Sequence, residues 1–301
     1  MSSSLPRRTF LGSLTLGGVV ASSPQPLAAI QPIQRTERSG LKLSLAAYSF
    51  RTELNLEPGS PGAMNLPAFI DYCASLGIEG TELTQYYFPA EVNDDFLFSL
   101  RKQAHLVGLD ITGGAIGNKF TLPPGGELDK QMAYTKRWIE NYSKLGAPVI
   151  RVFAGLPPEG VSEDDAIEQA ATALRTACDY AGQHGVMLGI ENHDFTSNVD
   201  RLLRIVEAVD SPWFGVNFDS GNFSGSHDPY GDMERMAPYS VNVQLKVLVR
   251  SAKGTEPADL PRMVDILRHA GYAGYLVLEY ESAAPYENVP RYVDQLRKIV
   301  G

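Results

Sequence analysis

From Leu41 to the C-terminus one unit recurs in this chain. An apolar run of strand length gives way to a polar turn, and then to a stretch with apolar residues at helical spacing. The runs fall at 41–50, 80–84, 109–113, 148–153, 186–194, 214–219, 241–249 and 275–279. Helical stretches follow them at 66–76, 94–107, 128–145, 162–184, 198–209, 232–237, 257–270 and 288–300. Eight runs alternating with eight helical stretches over about 260 residues predict an α/β chain folded as a single (β/α)8 TIM barrel, residues 41–301. An open doubly wound sheet would want a phosphate-binding glycine turn after its first strand, and Ser49-Phe50-Arg51 is no such turn. The Pro and Gly clusters at 58–62, 123–126 and 155–160 follow strands and read as loops around the barrel mouth.

The first 30 residues read as something other than fold. Arg7-Arg8-Thr9-Phe10-Leu11 is a twin-arginine sequence, followed by a mild glycine-rich apolar segment and by small residues at Ala28-Ala29 that offer a cleavage site. This predicts a Tat-type signal peptide over 1–30 and an exported, periplasmic or extracytoplasmic protein. The apolar segment is too short to span a bilayer. Removing Arg7 and Arg8 takes the formal charge from −9 to −11. An acidic surface of that kind argues against nucleic acid, whose phosphates need basic partners. Two cysteines, Cys73 and Cys178, give neither a disulfide framework nor a zinc spacing, and are expected as buried thiols.

The fifth run, Val186-Met187-Leu188-Gly189-Ile190-Glu191-Asn192-His193-Asp194, begins apolar and ends in ionisable groups. Barrel chemistry sits where such strands run out. The later runs also carry oxygen-bearing side chains at or near their ends: Asp219, Gln244 and Glu279. Strands five to eight are neighbours in a barrel, so Glu191, Asp219, Gln244 and Glu279 are expected to converge on one side of the mouth. Four oxygen donors suit one hard divalent cation, Mn²⁺ or Mg²⁺. His193 is two residues from Glu191, so its side chain is expected on the same face. Lys246 shares a strand face with Gln244. His105, His184 and His269 sit at helix C-termini and read as structural. Tyr48, Tyr86, Phe153 and other rings end or follow strands, where half are expected in the core and the rest at the mouth.

The segments Ile190-Glu191-Asn192-His193, Val216-Asn217-Phe218-Asp219-Ser220-Gly221-Asn222 and Leu276-Val277-Leu278-Glu279-Tyr280-Glu281 resemble the sugar phosphate isomerase/epimerase family of xylose-isomerase-like TIM barrels. The resemblance runs from Ser44 to the C-terminus. By analogy with ketose 3-epimerases it implies one metal held by Glu191, Asp219, Gln244 and Glu279. It also implies proton transfer by Glu191 and Glu279 on either side of the substrate carbon, and substrate contact by Arg250. Three positions depart from the family pattern: Gln244 and Asn222 stand where it has His, and Ser197 where it has a second Glu. A Gln third ligand resembles the metal-dependent 3-dehydroshikimate dehydratases instead. His193 or Lys246 is then available for acid/base work, and His193 and Asn222 for substrate contact.

The resulting expectation is a divalent-metal-dependent sugar isomerase or epimerase, working through an enediolate beside a carbonyl. A lyase or dehydratase on a keto-sugar is the alternative, and a non-catalytic carbohydrate-binding barrel a third reading. The apurinic endonuclease branch of the fold needs several His ligands that this mouth lacks. The sequence leaves the particular sugar and any homo-oligomer open.

Overall fold

The computed structural model describes residues 31–35 and 40–301; the signal-peptide expectation for 1–30 lies outside the described residues. Eight parallel strands close into a barrel. They are β1 (Leu41–Ala46), β2 (Gly80–Thr84), β3 (Asp110–Ala115), β4 (Val149–Val152), β5 (Met187–Glu191), β6 (Phe214–Asp219), β7 (Ser240–Leu245) and β10 (Gly274–Leu278). β10 pairs with both β7 and β1, which shuts the ring. A two-stranded antiparallel hairpin, β8 (Leu248–Ser251) with β9 (Gly254–Pro257), lies between β7 and β10 in the chain.

Helices cover the outside: α1 (Arg51–Leu54), α2 (Leu66–Ser75), α3 (Asp94–Leu106), α4 (Gly126–Leu145), α5 (Glu163–Gln183), α6 (Val199–Val209), α7 (Pro229–Met236), α8 (Leu260–His269) and α9 (Pro285–Val300). Their starts follow from local chemistry. The Ser162 hydroxyl accepts from the Asp165 amide at 3.1 Å, and Glu163, Asp164 and Asp165 offset the positive end of α5. Asn93 and Asn198 cap α3 and α6 in the same way. The buried face of α5 is a stripe of Ala166, Ala170, Ala173, Ala177 and Ala181 with Ile167 and Leu174, an apolar stripe of helical period turned to the core.

Helix and barrel meet most tightly at Gly114. A Cβ there would stand 2.0 Å from the Tyr142 ring, so only glycine lets that ring lie over β3. The Tyr142 hydroxyl donates to the Leu83 carbonyl at 2.5 Å, which fixes the ring against β2 as well.

Two irregularities re-aim polar side chains. Register shifts between Thr81 and Glu82 on β2 against β3, and between Val216 and Asn217 on β6 against β7. Such bulges turn strands locally and recur beside functional sites. Glu82 and Asn217 both follow a bulge, and both are fully buried.

The seventh run differs from expectation. It stops as a barrel strand at Leu245, and the next residues leave the ring. The Lys246 amide donates to Ser220 Oγ at 2.8 Å, and the Arg250 amide to the Gly221 carbonyl at 2.9 Å, so the β6 loop takes over the backbone bonds. At the other end of the barrel the Ile33 amide donates to Pro238, and Arg35 donates to the Ser240 carbonyl and lies over the Tyr272 ring. Cys73 and Cys178 are buried free thiols, as expected. No helix among the described residues is long and apolar enough to cross a membrane.

Candidate active site

The ends of β5, β6, β7 and β10 bring Glu191, Asp219, Gln244 and Glu279 into one mouth, all buried. They occupy two layers. The lower layer is a closed ring of hydrogen bonds. Gln244 Nε2 donates to Glu82 Oε1 at 2.7 Å, and Asn242 Nδ2 donates to Glu82 Oε2 at 2.9 Å and to Asn217 Oδ1 at 2.8 Å. Asn217 Nδ2 closes the ring by donating to Gln244 Oε1 at 2.7 Å. Gln244 thus spends both ends of its amide inside the barrel, rather than presenting a free oxygen to the mouth. Burial pushes the Glu82 carboxyl up to about 7, with the Glu279 charge adding to it and the Asn242 and Gln244 amides opposing.

The upper layer is ionic. Lys246 Nζ lies 2.5 Å from Glu281 Oε1, 2.9 Å from Glu279 Oε2 and 3.3 Å from Asp219 Oδ2, with only 6% of the residue exposed. Arg250 Nη2 meets the other Glu281 oxygen at 2.8 Å, and Arg250 Nη1 donates to Asn222 Oδ1 at 3.4 Å. Asn222 Nδ2 donates to Glu191 Oε1 at 3.1 Å, and the other Glu191 oxygen pairs with Arg151 Nε at 2.8 Å. Asn192 braces the strand ends: its amide nitrogen donates to the Asp219 and Asn222 carbonyls, and its oxygen accepts from the Asp219 amide.

These four carboxylates face three cations. Burial pushes Glu191 up to about 7, with Arg151 opposing and Glu279 adding. Burial likewise pushes Asp219 up to about 7 against Lys246. Burial disfavours the Lys246 charge, but Asp219, Glu279 and Glu281 outweigh it and raise the ammonium well above its ordinary value. Glu281 is held below the usual carboxylate range, because Lys246 and Arg250 overcome its burial. Buried acids poised near neutrality beside fixed cations are suited to proton transfer.

A hard divalent ion needs several oxygens with free lone pairs aimed at one point. Here Gln244 Oε1 is taken by Asn217, both Glu191 oxygens by Arg151 and Asn222, and Asp219 and Glu279 by the Lys246 ammonium. As they stand, these residues do not fit the Mn²⁺ or Mg²⁺ expected from the sequence. Among the described residues no group of three or more His, Cys, Asp or Glu is disposed to hold a metal ion.

His193 lies apart from this cluster. β5 ends at Glu191, so the two-residue spacing no longer sets a shared face. The His193 ring is part-exposed on the rim, 3.2 Å from Asp194 and packed on Phe153 at 4.8 Å between centroids. Tyr48 and Tyr86 meet edge to face across 6.3 Å, and Tyr48 lies 5.9 Å from Lys246 Nζ. Phe50, Phe120 and Phe223 are core residues. A narrow cleft of about 60 Å³ opens beside the ionic layer, lined by Asn222, Lys246, Arg250, Glu279 and Glu281 among others.

Glu82, Arg151 and Glu281 are the site residues that sequence reasoning missed. Glu82 and Arg151 each stand alone in a buried strand, as the only charge in Gly80-Thr81-Glu82-Leu83-Thr84 and in Val149-Ile150-Arg151-Val152. That is the same signal that singled out Glu191, since an isolated charge inside a dry strand demands a partner.

Comparison with known proteins matches the xylose isomerase-like TIM barrel family over residues 70–299. Among solved structures, a xylose isomerase domain protein from Planctomyces limnophilus is 16% identical over 86% of this chain and 97% of its own, with a TM-score of 0.66. A D-psicose 3-epimerase is 18% identical over 81% of this chain and 86% of its own, also at 0.66. A 3-keto-D-glucoside 4-epimerase from E. coli is 15% identical over 87% of this chain and 100% of its own, at 0.61. At these identities the likeness establishes the fold. No curated protein sequence matches the chain.

Proposed function

We propose that this chain, which belongs to the xylose isomerase-like TIM barrel family, is a sugar isomerase or epimerase that moves a proton on the carbon next to a carbonyl. The observation that carries this reading is the Lys246 ammonium, set 2.9 Å from Glu279 at the wall of the mouth cleft, with Glu191 at the end of β5, across β6, its carboxyl pushed up to about 7 by burial. In this reading the carbonyl oxygen faces Lys246 Nζ, which meets the negative charge as the enediolate develops. One of Glu191 and Glu279 takes the proton from the adjacent carbon, and the other returns one from the far side. Arg250 orients substrate hydroxyls at the cleft edge, and Tyr48 and Tyr86 offer ring faces to the sugar. His193 serves the rim. No step is assigned to a divalent ion, because the residues do not fit one.

The sugar-epimerase neighbours support the substrate class at the level of the family. Export by the Tat pathway belongs to the same proposal, and favours a free sugar or glycoside over a phosphorylated one. The test is proton NMR in D₂O with ketoses, aldoses and 3-keto glycosides, run with added Mg²⁺ and separately with EDTA. Deuterium entering next to the carbonyl together with a new isomer is the expected result. Glu191→Gln and Glu279→Gln are each expected to lower turnover at least about 10²-fold, as loss of an acid or base does. Wild-type rates in either variant refute the assignment. An unsaturated product or a released aglycone moves the protein to the lyases.

A further inference from the structure

We infer that Lys246 is the site's own cation, its ammonium standing where a divalent ion would bind Asp219 and Glu279, so that the pocket excludes Mn²⁺ and Mg²⁺. Two independent features of the chain carry this. The first is contact: Nζ is within 3.3 Å of Asp219 Oδ2, 2.9 Å of Glu279 Oε2 and 2.5 Å of Glu281 Oε1. A metal joined to the Asp219 and Glu279 oxygens at the usual bond length of about 2.1 Å would have to take the same two oxygens that the ammonium already holds. The second is the slot that holds the lysine stem. A Cβ at Gly221 would come within 2.6 Å of Lys246 Cγ and 2.9 Å of Lys246 Cβ. The missing side chain at Gly221 is therefore what lets the stem lie across the end of β6 and reach the carboxylates.

The surroundings agree. Gln244 has turned its oxygen to Asn217. Asp219 Oδ1 is spent on the Gly221 amide at 2.7 Å, and its Oδ2, with no hydrogen-bond partner among the described residues, lies 3.3 Å from the ammonium. Three carboxylates around one ammonium leave no reason for Lys246 to withdraw, and a dication beside it would face like charge at close range.

The inference rests on the reading of this cleft as the active site, but its test reads cation binding, so its failure and a failure of the proposed activity are told apart. The full chain, stripped with EDTA and desalted, is titrated with Mn²⁺ to about 1 mM while free Mn²⁺ is followed by EPR, and thermal unfolding is recorded in parallel. The wild type is expected to take up no stoichiometric Mn²⁺, and its unfolding midpoint to ignore both Mn²⁺ and EDTA. Lys246→Ala frees the carboxylates. It is expected to gain about one Mn²⁺ per chain and an unfolding midpoint that rises with Mn²⁺ concentration. Uptake of one Mn²⁺ by the wild type at micromolar concentration overturns the inference without need of any variant. A folded Lys246→Ala that binds no Mn²⁺ overturns it equally, because the carboxylates would then be no cation site. Should Lys246→Ala fold only when Mn²⁺ is supplied, that dependence is itself the expected gain.

Discussion

Arg151→Met tests the electrostatics of the mouth at a position where the effect can be worked out. Arg151 is 4% exposed, pairs with Glu191 at 2.8 Å, donates to the Ile116 carbonyl at 2.9 Å and lies 3.9 Å over the Phe153 ring. Removing one member of a buried ion pair costs about 3–5 kcal/mol, because the other charge stays behind. The pH dependence sharpens this. The wild-type Glu191 carboxyl titrates at about 7, above its ordinary 4.5. Between those values the folded chain keeps a proton that the unfolded chain releases, so stability falls as pH rises, in wild type and variant alike. Above about pH 7 the wild-type carboxylate ionises beside Arg151 and the decline stops. In Arg151→Met the same carboxyl stays protonated to higher pH, and the decline continues at about 1.4 kcal/mol per pH unit. The destabilisation at pH 9 should therefore exceed that at pH 6 by about 2.7 kcal/mol. Urea unfolding at pH 6, 7, 8 and 9 measures it. At about 2–4 °C per kcal/mol, thermal midpoints should separate by a further 5–10 °C over the same range. A destabilisation that does not change with pH refutes the reasoning. Adding Glu191→Gln to the variant should abolish the growth with pH.

Two further predictions concern the barrel beneath. Glu82 also titrates at about 7 in the fold against an ordinary 4.5, so it contributes to the loss of stability as pH rises between those values; Glu82→Gln should make that limb of the urea-midpoint curve shallower by up to about 1.4 kcal/mol per pH unit. Gly114→Ala drives a methyl group to 2.0 Å from the Tyr142 ring, and should cost more than the about 1–3 kcal/mol of ordinary overpacking. Tyr142→Leu should recover part of that loss in circular-dichroism melts, whereas Tyr142→Phe, which keeps the ring, should recover none.

The barrel was legible because its strands are buried on both faces and its helices on one, so the apolar period switches at each turn. The runs at 80–84 and 214–219 are the strands β2 and β6, and Ser162 and Asn198 mark true helix starts. The seventh run misled, because Val247 and Val249 continue its apolar pattern after the backbone has left the ring for the hairpin. At the site, a spacing rule holds only while a strand lasts. It does not reach His193, which lies beyond the end of β5. The rule tells which way a side chain leaves the backbone, but not which partner a long flexible one will reach. Lys246 was legible as facing the site, yet its three carboxylate partners come from β6 and from beyond β10. Gln244 was read by residue type, and what its amide meets depended on Glu82 and Asn217, which no local pattern ties to it.

The amide and carboxylate ring below the mouth also bears on how the chain assembles. Its bonds from Asn242 and Gln244 to Glu82 join positions 160 and 162 residues apart, on strands that β1 and β10 separate in the wall. Neither bond can form while the sheet is open, so the ring arises only on closure, as a late and long-range event. It also counts residues. A slip of β7 by one position would turn Val241 or Val243 inward and leave Glu82 dry and without donors. Eight apolar strands of similar length carry little that tells one alignment from the next. This polar ring marks the one closure in which Glu82, Asn217, Asn242 and Gln244 find one another.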